Sequence, residues 1–155
     1  MDAAYGDRQS CYGVYNMSEN DQFYTLKGYT LLEDSAITAC MEDYLEMIYR
    51  IHSSGEVVRI GALADNLNVK PSSATKMVGN LKKQGLVASE KYGYIKLTGT
   101  GEELGRYLVF RHDTLHKFLC YVNQSQNELE QVEKTEHFFN EETILNIERL
   151  MNKLA

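Results

Sequence analysis

The chain holds a single proline, Pro71, and its setting limits the possible folds more than any other feature. It follows Asn68-Val69-Lys70, a turn-forming run, and opens a segment over 71–84 in which Ala74, Met77, Val78 and Leu81 recur at helical spacing. Proline suits the first position of a helix, where its missing N–H would be unpaired in any case. Upstream, Ile60, Leu63 and Leu67 mark a short helix over 59–67. Met41, Tyr44, Leu45, Ile48 and Ile51 mark an amphipathic helix within 33–53, ended by Ser54-Gly55. Downstream, Gly85 stops the proline-started helix. Two β-prone segments, 86–90 and 95–98, then flank a turn containing Gly93 and form a hairpin. Helix, short helix, proline-started helix and hairpin is the order of a winged helix-turn-helix.

The second half reads as helical throughout. Thr98-Gly99-Thr100-Gly101 leads into a long helix over 102–121 with Leu104, Leu108, Leu115 and Phe118 on one stripe. Ser125 with Glu128 three residues on is the pattern of a capping box, which predicts a helix start. Asn140 followed by Glu141-Glu142 caps a last helix carrying Ile144, Ile147, Met151 and Leu154. Three amphipathic helices in so short a stretch cannot bury all their apolar faces alone, so packing on the first half or on a second copy is expected. Residues 1–32 carry no apolar period and read as a flexible N-terminal extension.

The net charge of −6 argues at first against a nucleic-acid partner. Its distribution argues the other way. Residues 56–112 carry nine basic and five acidic side chains, between flanks that are both acidic. A recognition helix enters the major groove of double-stranded DNA by its N-terminal residues. Here these are Pro71, Ser72, Ser73, Thr75 and Lys76, with Lys82 and Lys83 farther along and Lys91, Tyr92, Tyr94 and Lys96 in the hairpin. No run of about 18 apolar residues is present, so no membrane span is expected. No signal peptide is evident. Cys11, Cys40 and Cys120 lie far apart and read as reduced thiols of a cytoplasmic protein.

A different chemistry is concentrated at Val132-Glu133-Lys134-Thr135-Glu136-His137. With about 100° per residue, Glu133 and Glu136 fall on either side of the direction marked by Leu129 and Val132. Two carboxylates turned inward cost several kcal/mol each unless a cation pairs with them. Asp43 and Glu46 share a face of the first helix, and His112 borders the stripe of the long one. Four carboxylates and two imidazoles without a cysteine suit Mn²⁺ or Fe²⁺ better than a thiolate-rich zinc site, and can offset two divalent cations. The expected fold class is therefore mainly α. It comprises an N-terminal winged helix-turn-helix DNA-binding domain over 33–98 and a C-terminal all-helical metal-binding and dimerisation domain over 99–155.

These stretches carry a resemblance. Met41-Glu42-Asp43-Tyr44-Leu45-Glu46, Pro71-Ser72-Ser73-Ala74-Thr75-Lys76-Met77-Val78, Leu97-Thr98 with Gly101, Arg111-His112, and Val132-Glu133 with Glu136-His137 are similar, in order and spacing, to the diphtheria-toxin-repressor family. The manganese transport regulator branch is the nearest. The resemblance covers about residues 36–152 and implies that Asp43, Glu46, His112, Glu133, Glu136 and His137 are the metal ligands. The iron-type branch is similar to a Met at the place of Asp43 and to a Cys at that of Glu133. Acidic residues at both imply Mn²⁺, as a two-metal cluster in each protomer, with Fe²⁺ as the alternative. The resemblance further implies a homodimer on a palindromic operator, repressing metal-uptake genes when Mn²⁺ is plentiful. The chain departs from the family in its long N-terminal extension. A carboxylate-bridged dimetal enzyme is the rival from another class, but no substrate pocket is legible and the expectation is a regulator rather than an enzyme.

Overall fold

The computed structural model describes residues 37–89 and 93–154 of the 155-residue chain. The N-terminal extension and two of the hairpin residues named above, Lys91 and Tyr92, lie outside the described residues. Residues from Ala36 onward pack as one unit.

Helix α1 spans Ala39–Ser53, and the Thr38 hydroxyl caps it by accepting from the Met41 N–H. It lies within the stretch 33–53 expected to contain it. Helix α2, Ile60–Asn66, is followed by a turn in which Asn68 takes a left-handed φ of 52°, a conformation Asn tolerates. Helix α3 runs Pro71–Lys83 with Pro71 in its first turn. Ala74, Val78 and Leu81 are its buried face, as the periodicity predicts, with Met77 half-buried beside them. Strands β1, Val87–Ser89, and β2, Ile95–Leu97, pair antiparallel in the register Val87 to Leu97 and Ser89 to Ile95. Arg59 ties this wing to the start of α2. Its guanidinium donates to the Tyr94 hydroxyl at 3.0 Å and lies 4.9 Å above the ring.

Helix α4 spans Gly99–Asn123, 25 residues or roughly 37 Å. It starts three residues before the expected 102 because Thr98 is its cap. The Thr98 hydroxyl accepts from the Gly101 N–H and donates to the Gly85 carbonyl. Two glycines let α4 approach its neighbours closely. A Cβ on Gly101 would stand 1.8 Å from the Leu86 carbonyl oxygen, and one on Gly105 2.7 Å from Tyr49 Cβ. Helix α5 is short, Leu129–Thr135, and a 3₁₀ turn over Glu136–Phe138 follows it. The capping box is not formed: the Ser125 hydroxyl donates to the Glu128 carboxylate, and Asn127 Oδ1 instead accepts from the Leu129 N–H. Helix α6, Glu141–Leu154, is capped by Asn140, whose Oδ1 accepts from the Thr143 N–H.

The apolar interior has two parts, and α4 belongs to both. Leu108 closes a core built from α1, α2, α3 and the wing, while Leu115, two turns on, packs with Val132 and Ile144 in a second. Arg111 and His112 lie on α4 between Leu108 and Leu115. The polar cluster described next therefore stands where the two cores meet. No helix among the described residues is long and apolar enough to cross a membrane.

Candidate metal centre

Three segments bring charge to this junction. Helix α1 supplies Glu42, Asp43 and Glu46; α4 supplies Arg111 and His112; α5 and its 3₁₀ turn supply Glu133, Glu136 and His137. All six residues expected as ligands come to this one place, although up to 94 positions separate them in sequence. The donor atoms of five of them form two groups that share Glu136, while Glu133 belongs to neither and approaches only through His112. Asp43, Glu136 and His137 make one, and Glu46, His112 and Glu136 the other, with the donors of each lying within 4.8 Å of one another.

The second group is spaced for a cation rather than for hydrogen bonding. His112 Nδ1 lies 3.6 Å from Glu136 Oε2, 3.6 Å from Glu133 Oε1 and 3.9 Å from Glu46 Oε1. Donors sharing one ion at bonds near 2.1 Å stand about 3 to 4 Å apart, whereas a charge-assisted hydrogen bond would close to about 2.8 Å. His112 Nδ1 and Glu136 Oε2 are both buried without a hydrogen-bond partner. Unsatisfied buried polar atoms are costly. A divalent cation between them would satisfy both, so the residues fit the metal that the donor chemistry calls for.

The electrostatics carry the same strain. Burial, reinforced by the Glu136 charge, pushes Glu46 above the usual carboxylate range although Arg50 opposes it. Burial and Glu136 likewise raise Glu133. His112 is raised by the Glu136 carboxylate, against burial and with help from Glu46. His137 is raised to about 9, because Asp43 and Glu42 both accept from its ring, at 2.9 and 2.8 Å. Crowded acids that resist ionisation and imidazoles that hold their protons are what a cation site shows without its charge.

The helical phase is half right. Glu136 is 1% exposed, as expected of an inward carboxylate, and Val132 is buried. Leu129 is 47% exposed and the Glu133 side chain 59%. Glu133 therefore reaches the site from solvent, near the mouth of a cleft of about 500 Å³ lined also by Asp43, Glu46, Arg50, Asp113 and His116. Cys40 is exposed and belongs to neither donor group. Three site residues were not singled out as functional from the sequence. Arg50 donates Nε and Nη2 to Glu46 Oε1 at 2.8 and 2.7 Å, an i,i+4 pair that spacing alone could have revealed. Arg111 and Glu42 pair at 2.9 Å across helices, which spacing could not reveal.

Away from this centre, Pro71, Ser72, Ser73, Thr75, Lys76 and Lys82 are all exposed on α3. The Thr75 hydroxyl donates within the helix to the Pro71 carbonyl.

A winged helix-turn-helix joined to a helical half through a carboxylate–imidazole centre defines a metal-dependent transcriptional regulator. The comparisons with known proteins agree. A family profile described as iron dependent repressor, N-terminal DNA binding domain, matches residues 36–95. The HTH-type transcriptional regulator MntR of Oceanobacillus iheyensis is 40% identical over 116 residues, covering 74% of this chain and 79% of that protein. The protein of the same name from Lysinibacillus sphaericus is 41% identical over 101 residues, 64% and 73% of the two chains. The solved structure of the manganese regulator SloR superposes with a TM-score of 0.65 at 24% identity. That match covers 72% of this chain and 53% of the other, and shows the shared fold. The chain belongs to the diphtheria-toxin-repressor family, in its MntR-like branch.

Proposed function

We propose that this protein is a Mn²⁺-activated repressor, binding a palindromic operator of metal-uptake genes as a cytoplasmic homodimer, with Asp43, Glu46, His112, Glu133, Glu136 and His137 as ligands to two ions. The observation that carries this reading is the pair of donor groups sharing the buried Glu136. The donors are oxygen and imidazole nitrogen with no thiolate, which suits Mn²⁺ or Fe²⁺; by the family resemblance, acidic residues at Asp43 and Glu133 favour Mn²⁺. The iron label of the family profile attaches to residues 36–95, upstream of four of the six proposed ligands. Fe²⁺ remains the second metal to test.

When bound, the cations would add positive charge to four converging carboxylates that Arg50, Arg111 and the imidazoles offset only in part. The chain does the rest. Asp43 and Glu46 ride on α1, which packs against the DNA-reading helices; Glu133, Glu136 and His137 ride on the helical half; His112 sits on the α4 that runs through both cores. Without a counter-charge the carboxylates repel and the halves are free to shift. With it, α3 is held at the spacing that two half-sites require, and acidic repulsion of phosphate is reduced. Exposed Tyr121, Val122, Phe138, Leu150 and Leu154 on the helical half offer an apolar surface to the partner copy. Residues 33–98 are the DNA-binding part and 99–155 the metal-binding and dimerisation part. Pro71, Ser72, Ser73, Thr75, Lys76, Lys82, Lys91 and Tyr92 are the residues assigned to operator contact in this reading.

Fluorescence anisotropy on an operator fragment tests this. Binding is expected in Mn²⁺ and lost in chelator. Equal binding in both would remove the co-repressor role, and stronger activation by Fe²⁺ without oxygen would replace the metal.

The proton held by His137 gives a pH signature. A ligand imidazole must release its proton to bind metal. With His137 raised to about 9, its contribution weakens Mn²⁺ binding about tenfold for each unit of acidification below that value. The raised His112, Glu46 and Glu133 steepen the fall at lower pH. Calorimetric titration between about pH 6.5 and 8.5 should show affinity rising throughout. A flat profile would remove His137 from the ligand set.

A further inference from the structure

His137 has acidic partners on both ring nitrogens. Nε2 faces Asp43 Oδ1 at 2.9 Å, and Asp43 belongs to a donor group. Nδ1 faces Glu42 Oε2 at 2.8 Å, and Glu42 belongs to neither group. The same Glu42 oxygen accepts from Arg111 Nη2 at 2.9 Å. Arg111 is 4% exposed, and its Nε, without a hydrogen-bond partner, forms an ion pair with Glu136 Oε2 at 3.6 Å. Arg111 Nη2 and His137 Nδ1 lie 3.2 Å apart; with the Nδ1 proton directed at Glu42, both nitrogens serve as donors to the same oxygen. A buried guanidinium thus holds a carboxylate against the nitrogen of His137 that points away from the donor group.

We propose that Glu42, anchored by Arg111, is the positioning residue of the metal centre: it keeps the proton of His137 on Nδ1 and turns the Nε2 lone pair toward the ion. The proposal rests on the reading of His137 as a ligand. Its physical basis is general. A ligating imidazole needs its second nitrogen hydrogen-bonded, because a ring free to rotate or to swap its proton presents the wrong atom for part of the time. Glu42 is suited to that role rather than to ligation, since its near oxygen is already shared by two donors. Arg111 leaves the second group its charge as well. It offsets Glu42, so the positioning carboxylate adds no net repulsion to Asp43, Glu46, Glu133 and Glu136.

The test is a double-mutant cycle read by calorimetric Mn²⁺ titration on the full chain, with the unfolding of each metal-free variant followed alongside. Glu42→Ala should weaken binding about 10- to 100-fold. Glu42→Gln keeps a carbonyl acceptor for both donors and should recover most of that loss. In a His137→Ala background, Glu42→Ala should cost nothing further, because the residue acts only through His137. The proposal is overturned if Glu42→Ala binds within threefold of the unaltered chain. An equal loss with and without His137 also overturns it, since Glu42 would then act by charge or by direct ligation. If Glu42→Ala does not fold, Glu42→Asp retains the charge for Arg111 but withdraws the carboxylate by one methylene. It must then lose at least about tenfold, again only while His137 is present. Absence of Mn²⁺ binding by the unaltered chain would overturn the ligand reading and this proposal with it, whereas normal binding with a neutral Glu42→Ala overturns this proposal alone.

Discussion

A Glu136→Gln protein is expected to keep its fold and lose its metal response. Glu136 is 1% exposed and is the one residue shared by both donor groups. Glutamine preserves its shape and its acceptor for Arg111 but removes one charge and one ligating oxygen from the middle of the cluster. Breaking a buried charge set by deleting one partner costs about 3–5 kcal/mol, or roughly 10² to 10³-fold or more in metal affinity. The metal-free protein should suffer far less. The Glu136 charge helps to raise Glu46 and Glu133, so removing it relieves repulsion that the unaltered chain tolerates without metal. Thermal unfolding with and without Mn²⁺ separates the two effects. Mn²⁺ at about a hundred times its Kd stabilises the unaltered chain by about 2.7 kcal/mol. The same concentration should not shift the melting of Glu136→Gln. A variant that still melts higher in Mn²⁺, by the same margin, would show that Glu136 is not a ligand.

The second large effect is expected far from any ligand. Gly101→Ala should destabilise the protein by more than about 3 kcal/mol. Helix propensity points the other way, favouring alanine by about 1 kcal/mol. The clash decides, because the new Cβ would stand 1.8 Å from the Leu86 carbonyl oxygen and 2.8 Å from its carbon. These are backbone atoms and cannot rotate away. The same carbonyl accepts from the Thr98 N–H at 3.1 Å, so displacing it also loosens the joint between the wing and α4. Gly79→Ala is the control. Nothing lies within 4 Å of its Cβ position in α3, and the substitution should stabilise by about 0.5–1 kcal/mol. Urea unfolding of the metal-free proteins measures both. A Gly101→Ala protein as stable as its parent would mean that α4 does not approach the wing this closely.

The fate of individual readings shows what kind of information each needed. Pro71 opening α3 and Asn140 capping α6 came out as read, because a cap or a first-turn proline involves only residues within one turn of itself. Ser125 did not cap its helix. Its hydroxyl had a second acceptor in Glu128, and no spacing rule ranks two local partners. The phase of 132–137 failed at Glu133 for a related reason. It took Leu129 as a marker of the buried direction, but Leu129 is 47% exposed, and Glu133, one turn on in the same helix, shares its outward face. Seven residues of helix are too few for an apolar stripe to hold every side chain on its face. Leu129 and Glu133 accordingly face outward while Val132 and Glu136 stay in.

The sequence by itself determined the elements, their order, the basic middle of an acidic chain and the donor types of the metal centre, because periodicity, turn chemistry and ligand chemistry are properties of short stretches and of residue identity. Only the tertiary structure decided that Glu136 alone stands in both donor groups, that Glu133 approaches from solvent, and that Arg111 and Glu42 brace His137. Those facts depend on where α1, α4 and the 3₁₀ turn meet between two cores. That meeting is set by the burial of Leu108, Leu115, Val132 and Ile144 and by the close approach that Gly101 and Gly105 permit, and no local pattern encodes it.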